Sequence, residues 1–499
     1  MSLRRSAAWS LATQYGSFSC QFASSVIVSR FFLQPADVGL FSIALAAAMM
    51  VSIFQDMGIS RFVTGQPEMC EEHVRDYAAV AVALGWLVAT AVALAAAPLA
   101  QWYREPGLAS LMLIIAAAYA ALPFAIVPAA LLTRRMDFRT LFFANTGSAL
   151  AGGAASVVCA AAGAGPAALA WGMLATTVVR LAVVVAAVPV LPRRPRDRSV
   201  VRAMLGFSGS SFAISLSGAI GMRSQDLIVG RILGTAATGL FTRASALAGQ
   251  LSSLVVGAIN AVFYPAFARK RDAGEDLAGP YLHLIACNTA LNWAAAAGLA
   301  VAAEPLVNLL YGPRWAEAAS LLRWTALAEA LFFAIPLHMD VPIMLGRIRR
   351  LVWINIAETA ATIAILLVFC GWGLHAAAVS RLVAAAVWFA IYIGFIRSLL
   401  DLPATALAAT YLRSAACALA AAGPMFLALH FGWVGPLPGL VPLAALAAAG
   451  VGCWLAMLAL VRHPAWTEVR LIVDRFLPAP LAGHAAPALQ RRAAQAADR

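Results

Sequence analysis

Long hydrophobic stretches, separated by short polar connectors, recur along the whole chain. A helix that crosses a ~30 Å hydrocarbon core needs about 20 mostly apolar residues. Hydropathy, Gly/Pro breaks and charge clusters together predict fourteen such spans. Their predicted limits are 8–30, 38–60, 77–100, 108–131, 141–163, 166–190, 205–230, 237–263, 280–302, 319–345, 350–370, 374–396, 405–428 and 437–461. We therefore expect an all-α polytopic membrane protein.

The charges on the connectors predict how these spans are oriented. Arginine and lysine cluster on alternate connectors, as expected when cytoplasmic loops carry the excess of positive charge. The clusters are Arg134, Arg135 and Arg139; Arg193, Arg194, Arg196, Arg198 and Arg202; Arg269, Lys270 and Arg271; and Arg347, Arg349 and Arg350. The opposite connectors, 163–166, 371–373 and 431–438, are short and nearly uncharged. The alternation predicts that both termini are cytoplasmic.

Composition agrees with a membrane protein. The 499 residues are 63% hydrophobic and only 11% charged, whereas soluble domains have about 25% charge. The net charge of +13 is therefore interpreted as an orientation signal and not as a nucleic-acid site. The apolar run after Met1–Arg5 continues to about Val28 without a clear cleavage site, so we expect a retained first span. No Cys/His spacing suits a metal, and we predict neither a metal nor a cofactor.

The chain resembles itself at a displacement of roughly 200 residues. Three pairs of similar segments occur in the same order, each at the same place in its half. They are Val28-Ser-Arg-Phe-Phe-Leu…Val38-Gly-Leu-Phe with Val229-Gly-Arg-Ile-Leu-Gly…Thr238-Gly-Leu-Phe, Pro98-Leu-Ala-Gln-Trp-Tyr with Pro305-Leu-Val-Asn-Leu-Leu-Tyr, and Leu132-Thr-Arg-Arg with Leu345-Gly-Arg-Ile-Arg-Arg. Because an even number of spans separates the copies, they predict parallel repeats about an axis along the membrane normal.

This repeat predicts the domain organisation. Two six-helix lobes would occupy residues 1–190 and 205–400, and a basic cytoplasmic linker, 191–204, would join them. Residues 401–462 would add two transmembrane helices, and 463–499 would form a cytoplasmic tail. In transporters built this way, the substrate binds between two lobes that rock against each other.

Several of the repeated segments carry a family resemblance. They include Asp226-Leu-Ile-Val-Gly-Arg-Ile-Leu-Gly, Leu131-Leu-Thr-Arg-Arg-Met-Asp-Phe-Arg and Tyr264-Pro-Ala-Phe-Ala-Arg, with Tyr311-Gly-Pro-Arg-Trp further on. Together they resemble the polysaccharide transporters of the multidrug/oligosaccharidyl-lipid/polysaccharide superfamily, in the branch of the Wzx-type flippases. The resemblance covers about residues 1–400, and the last two spans match only in number. Gln34 and Pro35 depart from the Gly-Pro that the family often has there.

This resemblance implies a function. We expect a flippase, not an enzyme, that carries undecaprenyl-pyrophosphate-linked oligosaccharide units across a bacterial inner membrane for O-antigen, capsule or exopolysaccharide synthesis. It also implies contact with membrane lipids, and with a polymerase and a chain-length regulator. A lipid II flippase, a multidrug exporter of the same superfamily and a membrane polysaccharide polymerase remain as alternatives. The large outer loop and paired reactive groups that such polymerases carry are not evident here.

A flippase cavity needs inward-facing polar and cationic groups, because a charge that faces lipid is costly. In span one, polar residues at steps of three and four share one helical face. They are Ser10, Gln14, Ser17, Gln21 and Ser24. In span seven, a broad face carries Ser208, Ser211, Ser215, Arg223 and Asp226. We expect these faces to form opposite cavity walls; packing of small hydroxyl residues between helices is the alternative.

Arginines are the candidates to hold a pyrophosphate, because a guanidinium presents a bidentate fork to phosphate oxygens. Arg30 and Arg231 occupy matching positions at the outer ends of spans one and seven, where snorkelling or helix capping is the alternative. The other candidates are Arg180, Arg223, Arg243 and Arg381. Arg223 could instead pair with Asp226, and Asp226 could carry a coupling proton.

Overall fold

The computed structural model describes residues 3–56, 59–65, 71–192, 209–435 and 437–476, in which every regular element is helical. In the first half these are α1 (Leu3–Phe31), α2 (Pro35–Asp56), α3 (Ile59–Gly65), α4 (Glu71–Tyr103), α5 (Gly107–Ala121), α6 (Pro123–Arg134), α7 (Phe138–Ala161) and α8 (Ala167–Ala187). The second half contains α9 (Gly209–Leu233), α10 (Thr235–Asp272), α11 (Ala278–Val301), α12 (Ala303–Tyr311), a 3₁₀ turn (Pro313–Trp315), α13 (Glu317–Phe332), α14 (Asp340–Met344), α15 (Ile348–Cys370) and α16 (Leu374–Leu400). They are followed by α17 (Ala404–His430), α18 (Leu440–Leu460) and α19 (Ala465–Phe476).

The described helices agree with a chain that crosses a membrane many times. Nine of them are long and apolar enough to span, and the bent pair α5–α6 raises the number to ten. Four helices are not counted by length and hydropathy, although each overlaps a predicted span. They are α1 (span 8–30), α9 (205–230), α10 (237–263) and α13 (319–345). The protein is therefore a multi-pass membrane protein, and the number fourteen stays a prediction.

The helices of each half pack mainly on one another. α1 lies along α7, which also packs on α8, and α4 packs on α5. In the second half, α9 packs on α15 and α13 on α16. The halves meet where α2 contacts α9 and α10. α17 packs on α11, and α18 joins the same side, where the Trp454 indole donates to the Ala290 carbonyl over 2.9 Å.

The fourth predicted span of each half is interrupted, unlike the continuous helix that its hydrophobicity suggests. The span at 108–131 bends by 43° between α5 and α6, where Pro123 has no N–H to bond the carbonyl four residues earlier. The span at 319–345 ends α13 at Phe332, and an irregular stretch leads to α14. Proline is the physical cause of the first interruption, and Pro336 lies within the second.

Side chains satisfy the backbone carbonyls that the second interruption leaves without helical partners. Tyr281 Oη donates to the Pro336 carbonyl over 2.7 Å, and Tyr411 Oη to the Ala334 carbonyl over 3.1 Å. The Trp293 indole donates to the carbonyl of Ala330 over 2.7 Å. Because a buried carbonyl without a partner costs about 1–3 kcal/mol, these bonds stabilise the interrupted helix.

Candidate functional site

The two halves touch most closely where α2 crosses α10. A Cβ atom on Gly39 would lie 1.8 Å from the carbonyl oxygen of Thr235, and one on Gly239 would lie 1.8 Å from that of Pro35. Real Cβ atoms do not approach a backbone oxygen so closely, so both positions need glycine for this crossing. The two glycines are the matching residues of the repeated Gly-Leu-Phe segments. The repeat therefore forms a symmetric contact between the halves where α2 and α10 begin, and we call this end of the two helices the closed end.

Hydrogen bonds at the same end also join the halves, in both directions. The Trp315 indole donates to the carbonyl of Ser29 over 3.1 Å, which ties the end of α1 to the second half. Tyr103 Oη donates to the carbonyl of Leu227 over 2.8 Å, which ties α9 to the first half. These bonds add directional contacts to the glycine crossing.

Arg30 and Arg231 belong to this closed end. Arg30 Nη1 donates to the carbonyls of Asn308 and Leu309 in the last turn of α12, the negative end of that helix. The Arg231 guanidinium lies 5.5 Å from the ring centre of Trp102, a cation–π contact with the first half. Both side chains are exposed, and each reaches from its own half to the repeated Pro-Leu segment of the other. This geometry favours the helix-capping alternative for Arg30.

A cavity of about 290 Å³ lies next to the closed end, between α1, α2, α7, α8 and α10. We call it the central cavity. Its polar lining residues are Gln21, Ser24, Ser25, Ser42, Ser156, Thr176, Thr242 and Arg243. Arg243 is the only charged residue among the lining residues described, so the cavity carries a positive charge.

Arg243 comes from the second half and reaches toward the first. Its Nη1 donates to Ser25 Oγ on α1, and the guanidinium lies 5.9 and 6.0 Å from the ring centres of Tyr311 and Trp315. Its Nε is buried without a hydrogen-bond partner, and no described carboxylate pairs with it. A half-buried guanidinium that has no described carboxylate partner can accept an anionic ligand.

The polar stripe of α1 divides between the cavity and helix packing. Gln21 and Ser24 line the central cavity, as the stripe predicts. Ser17 instead bonds Thr146 of α7, with 3.3 Å between the hydroxyl oxygens. Gln14 is exposed and is not among the described lining residues. The packing alternative therefore applies to Ser17, and Gln21 is the glutamine that the fold places at the cavity.

The predicted face of α9 lies partly beside the central cavity. Asp226 accepts a hydrogen bond from Thr242 Oγ1 over 2.9 Å, so it lies one residue away from the cavity lining. In the described structure, no ion pair joins Asp226 to Arg223, although both Arg223 and Arg381 interact electrostatically with its carboxylate. Ser208 and the side chains of Ser211 and Ser215 lie outside the described residues.

Arg381 lies within the second half and not at the central cavity. Its Nη2 pairs with Glu329 Oε1 at 2.5 Å, and its Nη1 donates to Gln225 Oε1 over 2.7 Å. Glu329 is only 7% exposed, so this is a buried ion pair. Glu329 was not among the predicted site residues, although an acidic residue within an apolar span indicates a buried charge.

A polar layer between α9 and α15 was also missed. Ser217 Oγ lies 2.9 Å from Thr359 Oγ1, and Thr362 Oγ1 donates to Glu358 Oε1 over 3.1 Å. Ser217 is not one of the serines that the predicted stripe of α9 contained. The intramembrane acid Glu358 was the available signal for this layer.

Arg180 lines a separate cavity of about 270 Å³ in the first half. We call it the bend cavity, because residues on both sides of the α5–α6 bend form its wall. It thus lies apart from the central cavity, although α8 contributes to both.

Among the residues described here, no group of three or more His, Cys, Asp or Glu side chains could hold a metal ion.

Curated relatives resemble a large part of the chain. The succinoglycan biosynthesis transport protein ExoT of Rhizobium meliloti (strain 1021) is 26% identical over 344 residues, which cover 68% of this chain and 69% of ExoT. The lipopolysaccharide biosynthesis protein WzxC of Escherichia coli (strain K12) is 26% identical over 288 residues, which cover 56% of this chain and 57% of WzxC.

Solved structures show the fold. The lipid II flippase MurJ in an inward closed conformation matches with a TM-score of 0.72 at 9% identity, over 91% of this chain and 98% of MurJ. An inward-facing multidrug resistance MATE transporter of the MOP superfamily matches with a TM-score of 0.54 at 18% identity, over 77% of this chain and 96% of that one. The fold is therefore that of MurJ and the MATE transporters.

A family model supplies the assignment. It is described as "Polysaccharide biosynthesis protein" and matches residues 27–320, more than half of the chain. The matched segment contains the glycine crossing, the bend cavity and most of the central cavity, whose lining residues Gln21, Ser24 and Ser25 precede it. This chain therefore belongs to the polysaccharide biosynthesis protein family.

Proposed function

We propose that this protein is a flippase that moves undecaprenyl-pyrophosphate-linked oligosaccharides across the bacterial inner membrane for surface or secreted polysaccharide synthesis. The observation that carries the proposal is Arg243. It is a half-buried arginine with a buried Nε and no described carboxylate partner, and it reaches from the second half into a cavity that first-half residues mostly line. Family membership and the names of ExoT and WzxC support a role in the transport step of polysaccharide biosynthesis.

The chemistry of the cavity suits a phosphate-bearing head group. The fork of Arg243 can bind phosphate oxygens, and the hydroxyl groups around it can donate further hydrogen bonds. Gln21 adds an amide that can bind sugar hydroxyl groups. The cavity of about 290 Å³ holds only part of a large head group, so the remainder would extend into the groove between the halves.

The closed end supports alternating access. Gly39 and Gly239 close the groove where α2 and α10 begin, and the predicted orientation places that end on the periplasmic side. We propose that the described conformation receives substrate from the cytoplasm, and that separation of the two helices releases it outside. Such rocking of two halves about a fixed site is a common design in transporters.

The proposal includes the organisation of the chain. Residues 1–190 and 205–400 would be the two moving lobes, joined by the cytoplasmic linker 191–204. Residues 401–462 would form two further spans, and 463–499 would be a cytoplasmic tail, so that both termini are cytoplasmic. The partners would be the lipid-linked oligosaccharide, membrane lipids, a polysaccharide polymerase and a chain-length regulator, and the protein itself would not be an enzyme.

The positive charge of the central cavity disfavours one of the alternative substrates, a cationic drug. A multidrug exporter for cationic drugs would need acidic groups, whereas the charged residue among the described lining residues is Arg243. Lipid II also carries a pyrophosphate, so a lipid II flippase would use the same arginine. The likeness to MurJ is a likeness of fold, and the family assignment favours a polysaccharide precursor.

Cells that lack the gene provide the test. Their lipid-linked oligosaccharide is extracted, quantified and probed in intact spheroplasts with a membrane-impermeant glycosidase. We expect it to accumulate facing the cytoplasm, with loss of the polysaccharide product, and its glycan identifies the substrate. A glycan-bearing lipid that reaches the periplasmic face unpolymerised would instead indicate a polymerase. An unchanged pool of lipid-linked oligosaccharide would contradict the proposal.

A further inference from the structure

One face of α8 connects the central cavity to the bend cavity. Leu169, Gly172, Met173 and Thr176 line the central cavity, and Arg180, one helical turn further on, lines the bend cavity. A rise of 1.5 Å per residue places Arg180 about 6 Å beyond Thr176 along the helix axis. The two cavities are therefore successive sites along one helix.

The helix α2 shows the same order. Ser42 and Leu45 line the central cavity, and Ser52 and Gln55 line the bend cavity. Gly39, at the closed end, precedes all of them. The bend cavity therefore lies on the far side of the central cavity from the glycine crossing.

The bend between α5 and α6 builds the second cavity. Pro123 removes the N–H that would bond the Tyr119 carbonyl, and Gln55 Nε2 donates to that carbonyl instead, over 3.1 Å. A Cβ on Gly85 would lie 1.9 Å from Pro123 Cγ, so glycine there lets α4 pack against the bend. Interrupted helices line the substrate sites of many transporters.

Arg180 has no described partner in this cavity. No hydrogen bond or ion pair of its guanidinium is present in the described part of the chain, and its Nε is buried. The described lining adds the hydroxyl groups of Ser52, Ser60 and Tyr119 and contains no carboxylate. A half-buried guanidinium with hydroxyl neighbours and no described counter-ion is suited to a phosphate-type anion.

We propose that the bend cavity is a second phosphate-binding site, which holds the pyrophosphate of the substrate before it moves to Arg243. This inference rests on the proposed function. Arg180 receives the anion on the side of the central cavity away from the closed end, and Arg243 holds it beside the glycine crossing. The head group thus exchanges one arginine for another and is not released into an uncharged membrane interior.

The test uses the purified full-length protein and inorganic pyrophosphate, with stoichiometry measured by isothermal titration calorimetry. We expect two sites in the unaltered protein, and one site each in Arg180→Gln and Arg243→Gln. Loss of charge-assisted hydrogen bonds should weaken the affected site roughly 10- to 100-fold. Arg180→Lys should retain both sites, which separates loss of charge from misfolding. Arg323→Gln, at an exposed ion pair with Glu304, is the matched control and should also retain both.

Two results would overturn the second site: a single site abolished by Arg243→Gln alone, or two sites that both survive Arg180→Gln. Absence of binding in the unaltered protein would overturn it as well. A flipping measurement on the same preparations separates the two proposals. Suppose that the unaltered protein transports lipid-linked oligosaccharide, and that Arg180→Gln binds pyrophosphate as the unaltered protein does. The second site is then wrong, and the proposed function stands. If no preparation transports it, the proposed function fails too.

Discussion

Gly39 of α2 and Gly239 of α10 lie against each other at the crossing of the two halves, and each faces the first carbonyl of the other helix. A methyl group on either glycine would overlap a backbone oxygen. The crossing can therefore persist only if both side chains are absent. This makes the crossing a specific point at which opening and closing can be tested.

We predict that Gly39→Ala or Gly239→Ala separates α2 from α10. Overpacking by one methyl group costs about 1–3 kcal/mol, which would shift the equilibrium between the closed and open states of this end roughly 5- to 150-fold toward the open state. The measurement is labelling of Ser42→Cys by an impermeant maleimide from outside the cell, with the native cysteines replaced. Labelling should increase in both variants.

The matched control for this experiment is Gly249→Ala, on the same helix α10. A Cβ there meets nothing within 4 Å, so labelling should stay at the level of the parent protein. Equal labelling of Gly39→Ala and the parent would show that the crossing does not close the path. Increased labelling in Gly249→Ala would show that the effect is not specific.

We predict that Arg381→Ala acts mainly on stability. It leaves Glu329 buried without its ion-pair partner, and breaking a buried pair in this way costs about 3–5 kcal/mol. The melting temperature of the purified protein and its level in membranes should both fall. The double variant Arg381→Met with Glu329→Leu should recover most of the loss. Normal stability with lost transport in Arg381→Ala would instead support a direct role in substrate binding.

A pH effect is expected where α19 docks. His463, which precedes α19, is 1% exposed; its Nδ1 accepts from the Ala465 N–H over 3.2 Å, and its Nε2 lies 3.1 Å from Ser414 Oγ. Burial, together with the smaller effects of the charges of Arg413 and His283, lowers the pKa of His463 from 6.5 to about 4. The folded state therefore favours the neutral imidazole.

The direction of this effect follows from the protons bound. Below pH 6.5 an undocked His463 takes up a proton that the docked one does not, so docking weakens as the pH falls from 6.5 toward 4. The loss could reach about 3 kcal/mol. Protection factors of the α19 amides, which are hydrogen-exchange rates corrected for the intrinsic rate at each pH, measure it at pH 7 and pH 5, and His463→Gln should reduce the difference. Equal protection factors of the unaltered protein at both pH values would contradict the prediction.

The sequence predicted the features that repeat or that have the period of a helix. The matched segments around Gly39 and Gly239 indicated equivalent positions in the two halves, and the stripe of α1 indicated Gln21 as a cavity residue. The hydrophobic runs indicated an all-α membrane protein. These features depend on neighbouring residues or on segments that occur in both halves, so a single sequence is enough to predict them.

What the sequence could not predict depends on partners far apart in the chain. The pairing of Arg381 with Glu329 could not be predicted, because the two lie 52 positions apart and the packing of α13 on α16 brings them together. A role of Arg381 in substrate binding stays a prediction. Arg30 likewise reaches α12 from 278 positions away. An arginine in an apolar run signals a buried charge, and the fold decides whether a carboxylate, a carbonyl or a ligand receives it.

The most direct test of the central claim measures flipping in liposomes that contain only the purified protein and a polyprenyl-pyrophosphate oligosaccharide. An impermeant glycosidase added outside reports how fast sugar from the inner leaflet becomes accessible. The account predicts rapid and nearly complete cleavage with the unaltered protein, partial activity with Arg243→Lys, and cleavage of the outer leaflet alone with Arg243→Gln. Transport by Arg243→Gln at the rate of the unaltered protein, or no transport by the unaltered protein, would contradict it.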